Sequence, residues 1–219
     1  MFDMKFAAPL LAGALIAAAP IAAPLGGGGV ARAASFDCAH AGTPTEVAIC
    51  GDASLSALDS AMGAAYDQRV AADPILREIQ RAWLAARNVG CGHDRGCLRP
   101  LMTAQLTWLK SGAAQPPAAL PRQVGHCSLT SIKVVETRLE DTPGSGSAIG
   151  EVNGGYQVSY DTIPAMDASR RGDPVLECLI SIPHPCPPGD TRGRVYAVGN
   201  LRTLQAWSQP DAEHMCGGA

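Results

Sequence analysis

Cysteine is the residue type in this chain most able to do chemistry. Eight are present, at positions 38, 50, 91, 97, 127, 178, 186 and 216. An even number of thiols behind an export signal reads as a disulfide framework rather than as nucleophiles or metal ligands. Cys91-x-His93 with Cys97 could supply three zinc ligands, but no fourth lies at useful spacing, so no metal site is expected. His40, His126, His184 and His214 each stand alone beside cysteine or proline and read as surface residues. Ser128, Ser159 and Ser181 lack the Gly-x-Ser-x-Gly elbow that would expose a nucleophile. Glu136, Glu140, Asp141 and Glu151 include enough carboxylates for acid/base cleavage of a sugar, yet nothing in the sequence selects two of them. Arg171-Gly172-Asp173 spells an adhesion tripeptide, although Asp173-Pro174 reads equally as the entry to a strand. No catalytic set converges, no cofactor is implied, and the expectation is a binding protein rather than an enzyme.

The compartment follows from the first residues. Lys5 precedes a stretch from Phe6 to Val30 without charge, and Ala31-Arg32-Ala33 supplies the small-x-small pattern of a signal-peptidase site. Residues 1–33 therefore read as a signal peptide cleaved after Ala33. The competing reading, a membrane anchor, is opposed by Pro20, Pro24 and the run Gly26 to Gly29, which break a single spanning helix. The mature chain is expected to be periplasmic or secreted and not embedded in a membrane. Losing Lys5, Arg32 and Asp3 moves the formal charge from -3 to -4, and this mild acidity argues against nucleic acid as a partner.

The cysteines fall into two groups of four on either side of Ser111-Gly-Ala-Ala-Gln-Pro-Pro-Ala-Ala-Leu-Pro121, a stretch with the composition of a semi-extended linker. The reading is α+β in two domains: a helical domain over 34–110, a linker over 111–122 and a β-rich domain over 123–219. If each group pairs internally, the expected bonds are Cys38 with Cys50, Cys91 with Cys97, Cys178 with Cys186 and Cys127 with Cys216. Each would stabilise by about 2 to 4 kcal/mol.

The helical half is punctuated clearly. Thr43-Pro44-Thr45-Glu46 is a capping box with proline in the first turn, where its missing N–H costs nothing. Asp52 caps a second helix whose apolar residues Leu55, Leu58, Met62, Ala65, Tyr66 and Val70 recur at three and four. Asp73-Pro74 opens a third, with Leu76, Ile79, Trp83 and Leu84 inward, ended by Asn88 and Gly90. A fourth carries Leu98, Met102, Leu106 and Leu109 on one face and tolerates Pro100 only in its first turn. Short connections make a small antiparallel bundle or hairpin.

Taken in order, Cys38-Ala39-x-Ala41-x-Thr43-x-x-Glu46-x-Ala48-Ile49-Cys50-x-Asp52, Leu55-x-x-Leu58-Asp59-x-x-Met62-x-x-Ala65-Tyr66 and Gln80-Arg81-x-Trp83-Leu84-x-x-Arg87-Asn88-x-x-Cys91, with Cys97-Leu98, closely resemble the N-terminal domain of the lysozyme inhibitor LprI family. The resemblance covers about residues 35–110. It implies an exported bacterial protein, helical and disulfide-bonded, that binds and inhibits lysozyme. The last helix departs from the family pattern at Met102 and Gln105, where a tyrosine and an arginine would be expected. Asp59 and Arg87 are candidates for an interhelix ion pair or for partner contact.

The second half reads as short strands over 130–139, 148–152, 156–160, 174–182, 194–198 and 206–208, with Asn153-Gly154-Gly155 as a hairpin turn. A small barrel or sandwich is expected. Ser145, Gly146 and Ser147 lie in a small-residue loop similar in composition to the loop that barrel-shaped lysozyme inhibitors insert into the enzyme, and are candidate partner contacts. The functional expectation is binding to c-type lysozyme by occluding its sugar cleft. The alternative is an envelope protein that binds peptidoglycan or another exported protein without inhibiting lysozyme.

Overall fold

The computed structural model describes residues 34–218, so the expected leader over 1–33 lies outside the described residues. After a 3-10 turn at Cys38–His40 come four helices: α1 (Pro44–Cys50), α2 (Ala53–Val70), α3 (Ile75–Cys91) and α4 (Arg95–Ser111). The capping box forms as read: Thr43 Oγ accepts from the Glu46 amide at 3.2 Å while Glu46 accepts from the Thr43 amide at 2.9 Å. Asp52 caps α2 through the Ser54 and Leu55 amides. Two boundaries differ from expectation. Pro74, not Asp73, occupies the N-cap of α3, with no side-chain hydrogen bond, and α3 runs on past Gly90 to Cys91. Asp94 caps α4 three residues before Cys97, which places Pro100 inside that helix beyond its first turn.

Six strands follow: β1 (Cys127–Thr137), β2 (Ser147–Glu151), β3 (Tyr156–Ser159), β4 (Pro174–Ser181), β5 (Val195–Asn200) and β6 (Ala206–Pro210), with the single-turn α5 (Pro164–Asp167) after β3. They make one antiparallel sheet in the order β3-β2-β1-β4-β5-β6. The sheet curls until its edges communicate: Trp207 Nε1 on β6 donates to Gln157 Oε1 on β3 at 3.2 Å. This is a half-barrel rather than a sandwich.

The chain is α+β, but the division into two domains is not what the packing shows. Leu176, Cys178, Ile180, Ala197 and Leu201 of the sheet half belong to the same hydrophobic cluster as Ile49, Leu55, Met62, Trp83 and Leu98 of the helices. The described residues, 34–218, fall in one compact unit. Alternate residues of β4 explain this. Leu176, Cys178 and Ile180 face the helices, while Val175 and Leu179 join Ile132, Ile149, Tyr196, Val198 and Trp207 inside the curl. A strand buried on both faces carries a near-continuous apolar run, which is how Val175–Ile180 reads apart from Glu177.

Helix α3 is the element that joins the two layers, and it lies close because side chains are missing. A Cβ on Gly199 of β5 would sit 2.2 Å from the Ala82 carbonyl oxygen, and one on Gly90 would sit 2.6 Å from the Ala197 Cβ. Ala82 and Ala86 are fully buried on the same helix. The expected linker is a strap on this unit: Pro117 O accepts from the Leu129 amide at 3.0 Å, the Pro121 carbonyl accepts from Tyr196 Oη at 3.3 Å, and Leu120 and Val124 pack on the inner cluster.

Two disulfides form as expected, Cys38–Cys50 and Cys91–Cys97. The other two are Cys127–Cys178 and Cys186–Cys216, in place of Cys178–Cys186 and Cys127–Cys216. Strand register decides this. Cys127 and Cys178 are direct cross-strand partners on β1 and β4, which leaves the two loop cysteines to each other.

Proteolysis of the unreduced protein should yield peptides linking Cys127 to Cys178 and Cys186 to Cys216; a Cys127–Cys216 peptide would refute the register. Gly199→Ala should lower the unfolding free energy by at least about 2 kcal/mol, because backbone rather than a flexible side chain blocks the new methyl. Gly42→Ala, which meets nothing closer than 3.8 Å, should change stability by no more than about 0.5 kcal/mol in the same urea titration.

Candidate functional site

Helices α2 and α3 enclose a surface cleft of about 400 Å³. Its walls include Asp59, Met62, Tyr66, Gln80, Arg81 and Leu84, all six among the residues on which the sequence resemblance was read, together with Arg77 and Ser35. The 3.6-residue period puts Asp59, Met62 and Tyr66 in a row on α2 and Arg77, Gln80, Arg81 and Leu84 in a second row on α3. Met62 is buried in the floor. Leu84, expected inward, is 36% exposed and forms a lip, with the exposed Arg77 and Arg81 beside it.

Beneath the cleft, Asp59 and Arg87 pair at 3.5 Å with both side chains 5% exposed. Asp59 Oδ2 also accepts from the Ser35 amide at 2.7 Å and from Ser35 Oγ at 2.5 Å, which ties the N-terminal segment to α2. Gly63 makes room for that segment, since a Cβ there would lie 2.9 Å from the Ser35 Cβ. Arg87 Nε donates to Asn88 Oδ1 at 3.0 Å, and its guanidinium carbon lies 5.3 Å from the centre of the Trp83 ring. Burial pulls the Arg87 guanidinium below its ordinary value, and the charges of Asp59 and Glu46 oppose that pull. Asp59 and Arg87 therefore hold the cleft from below and are not themselves presented to a partner.

Met102 and Gln105, the positions at which the sequence resemblance breaks down, are also interior. Met102 is fully buried, and Gln105 Nε2 donates to Gln80 Oε1 at 2.8 Å. That bond occupies the Gln80 carbonyl and leaves its amide N–H groups available at the cleft wall.

Ser145, Gly146 and Ser147 do not protrude. Ser145 Oγ accepts from the Leu139 amide at 3.0 Å, and Ser147 Oγ accepts from the Ile163 amide at 2.8 Å while donating to Asp167 at 2.7 Å. Gly146 has φ of 115° and lies so close to β3 that a Cβ would meet the Ser159 carbonyl. The exposed part of this loop is 139–144. The adhesion tripeptide is closed as well: Asp173, 4% exposed, accepts from Asn200 Nδ2 at 2.9 Å and from Arg202 Nη2 at 2.7 Å. The Arg202 hydrogen bond holds its carboxyl down at about 2. Cys91 and Cys97 are spent in a disulfide, and the five histidines, 40, 93, 126, 184 and 214, are exposed. Among the carboxylates, Glu136, Glu140 and Asp141 are exposed and Glu151 is buried. The sequence reading missed Glu177, which is fully buried and meets Glu151 beneath Gly155. Its one signal was a charge inside an otherwise apolar strand.

No protein-family model, no curated protein and no solved structure matches this chain.

Asp59→Ala should cost about 3 to 5 kcal/mol in urea unfolding, because it strands a buried guanidinium. Asp59→Leu combined with Arg87→Met should recover most of that loss. Arg81→Ala, at an exposed position, should stay within about 0.5 kcal/mol of the parent. An Asp59→Ala protein as stable as the parent would show that the pair does not hold the helices.

Proposed function

We propose that this is an exported bacterial binding protein whose α2–α3 cleft face docks on c-type lysozyme and occludes its sugar cleft. The observation that carries the reading is the convergence on one cleft of residues scattered from Asp59 to Leu84 in the sequence, with the internal residues of the same set serving to hold it open. Four disulfides, and the absence among the described residues of any helix long and apolar enough to cross a membrane, support the periplasm or the extracellular space as its place of work.

Inhibition is steric. Lysozyme needs its two carboxylates at the glycosidic bond, and a partner seated across the groove denies the sugar that position. Leu84 supplies an apolar contact at the lip and Tyr66 one in the wall. Arg77, which makes no ion pair among the described residues, and Arg81, held only by an exposed 3.4 Å contact with Glu78, offer guanidinium groups to carboxylates of the partner. The net charge of the mature chain attracts a basic enzyme over distance, an effect on association rate that shrinks with salt. Affinity then rests on the buried centre of the contact. No step of this reading uses a cofactor, a metal or a reaction at this protein.

A second reading has its own observation. Tyr160, 54% exposed just past the edge strand β3, has the Arg138 guanidinium 4.3 Å from its ring centre and the His214 ring at 6.5 Å. An exposed ring beside hydrogen-bond donors suits a sugar face, and peptidoglycan or another exported protein is the partner it would serve.

Oxidised protein comprising residues 34–219 should inhibit lysis of a peptidoglycan suspension by c-type lysozyme saturably, and less at high salt. Leu84→Asp should weaken inhibition by at least about tenfold, or about 1.4 kcal/mol, while leaving urea stability within about 0.5 kcal/mol. Absence of inhibition at large molar excess would overturn the lysozyme reading. Sedimentation of the protein with purified peptidoglycan, lost in Tyr160→Ala, would then establish the second.

A further inference from the structure

The inner face of the half-barrel holds two acids that the binding reading does not use. Glu151 ends β2 and Glu177 lies in the middle of β4; they are 2% and 0% exposed. Glu177 Oε1 and Glu151 Oε2 lie 2.5 and 2.8 Å from the point where a Cβ on Gly155 would be, so both oxygens converge beneath the β2–β3 turn.

The donors around the pair are unequally shared. Glu177 Oε1 accepts from Gln157 Nε2 at 2.9 Å; its Oε2 accepts from Asn153 Nδ2 at 3.0 Å and from Ser128 Oγ at 3.5 Å. Trp207 Nε1 bonds the Gln157 carbonyl, which fixes that amide with its N–H toward Glu177. Among the described residues, neither oxygen of Glu151 has a hydrogen-bond partner. From β5, Tyr196, a phenol bonded to the Pro121 carbonyl, lies within reach of the Glu177 charge. Among the described residues no Lys, Arg or His nitrogen lies within 4 Å of either carboxylate.

Two buried carboxyl groups whose oxygens approach one point beneath Gly155, with no cation within 4 Å among the described residues, resist ionising together. Glu177, with three donors, is the anion. Glu151, whose oxygens have no donor at hydrogen-bond distance among the described residues, is the group placed to keep a proton. We propose that Glu151 and Glu177 share one proton and that this proton is the latch that shuts the β2–β3 turn over the half-barrel and holds its seam, so that the closed sheet is stabilised by acid and released by alkali. The same network reaches the turn through Asn153, the edge strand through Gln157 and the opposite edge through Trp207, so losing the proton to water loosens all three together. The outer side of the turn is open to water: Val152 is 65% exposed and Gly154 lies at the surface.

Burial, and then the neighbouring Glu177 charge, push the Glu151 carboxyl up to about 9, and burial pushes Glu177 up as well. Both shifts have the same sign. The folded state binds a proton that the unfolded chain releases near the ordinary carboxyl value, so the stabilisation is complete below that value. It declines as pH rises toward about 9. One retained proton changes the folding equilibrium constant by about tenfold per pH unit across that interval.

Urea unfolding of oxidised 34–219 from pH 5 to 8 should show this slope in excess of that of Glu151→Gln, which keeps the shape but carries no titrating proton. The parent at pH 7 should show the infrared carbonyl stretch of a protonated carboxylic acid, absent from Glu151→Gln. Hydrogen exchange of the 152–157 amides should accelerate between pH 7 and 9 beyond the intrinsic rise. Equal slopes, or no carboxylic-acid band, would overturn the proposal. So would stability that depends on added calcium or falls with chelator, which would mean that a cation rather than a proton joins the acids. Should Glu151→Gln fail to fold, the infrared band and the exchange profile of the parent decide the matter alone.

Discussion

The fold depends on how closely α3 can approach β5. Gly199 and Gly90 have no side chain where any other residue would strike the Ala82 carbonyl or the Ala197 and Ile180 side chains, and Ala82 and Ala86 keep the rest of that helix face thin. Close approach lets one helix serve two layers: its small face lies on the sheet while Trp83 and Ile79 are buried in the same cluster as α2 and α4. Dispersion falls off steeply with distance, so a gap of even a methyl group would cost both layers their contacts. The strap over 111–126 applies the same rule at α4, where a Cβ on Gly125 would lie 2.5 Å from the Pro100 carbonyl oxygen.

A core shared by helices and sheet leaves three clusters of buried charged residues among the described residues, and they are not neutralised alike. Arg87 is met by Asp59, which takes two further hydrogen bonds from Ser35. Asp173 is surrounded by the Asn200 amide and the Arg202 guanidinium, which fastens the turn before β4 to the turn after β5. Glu177 has neutral donors and an acidic neighbour, so its balance comes from a proton. In the first two, folding brings opposite charges together; in the third it brings like charges together. The difference gives the half-barrel a dependence on pH that the helical layer does not share.

Punctuation was the part of the fold that local sequence carried. Thr43 to Glu46 and Asp52 cap helices because their partners are two to three residues away, and Asn153-Gly154-Gly155 turns a hairpin for the same reason. The six strands were readable from alternation and turn residues. Of the candidate site, Asp59, Met62, Tyr66, Gln80, Arg81 and Leu84 were singled out in the sequence by a resemblance and not by their geometry. Their sorting into buried supports and an exposed lip was not legible: a period of 3.6 shows which residues share a face and leaves open how deep each one sits. Leu84 looked like core and lies at the rim, whereas Ser147 looked like a loop tip and is buried.

The sequence by itself determined the local elements, the disulfide character of the chain and the two short-range bridges, Cys38–Cys50 and Cys91–Cys97, whose partners lie 12 and 6 residues apart. Tertiary structure alone decided the pairing of Cys127 with Cys178, 51 residues away, the merging of two expected domains into one core, and the meeting of Glu151 with Glu177. Those outcomes depend on strand order and register, which place β4 beside β1 and not beside its sequence neighbour β3. Composition on either side of a proline-rich stretch shows where the chain changes its local habit, and only the assembled sheet shows which buried face the helices must cover.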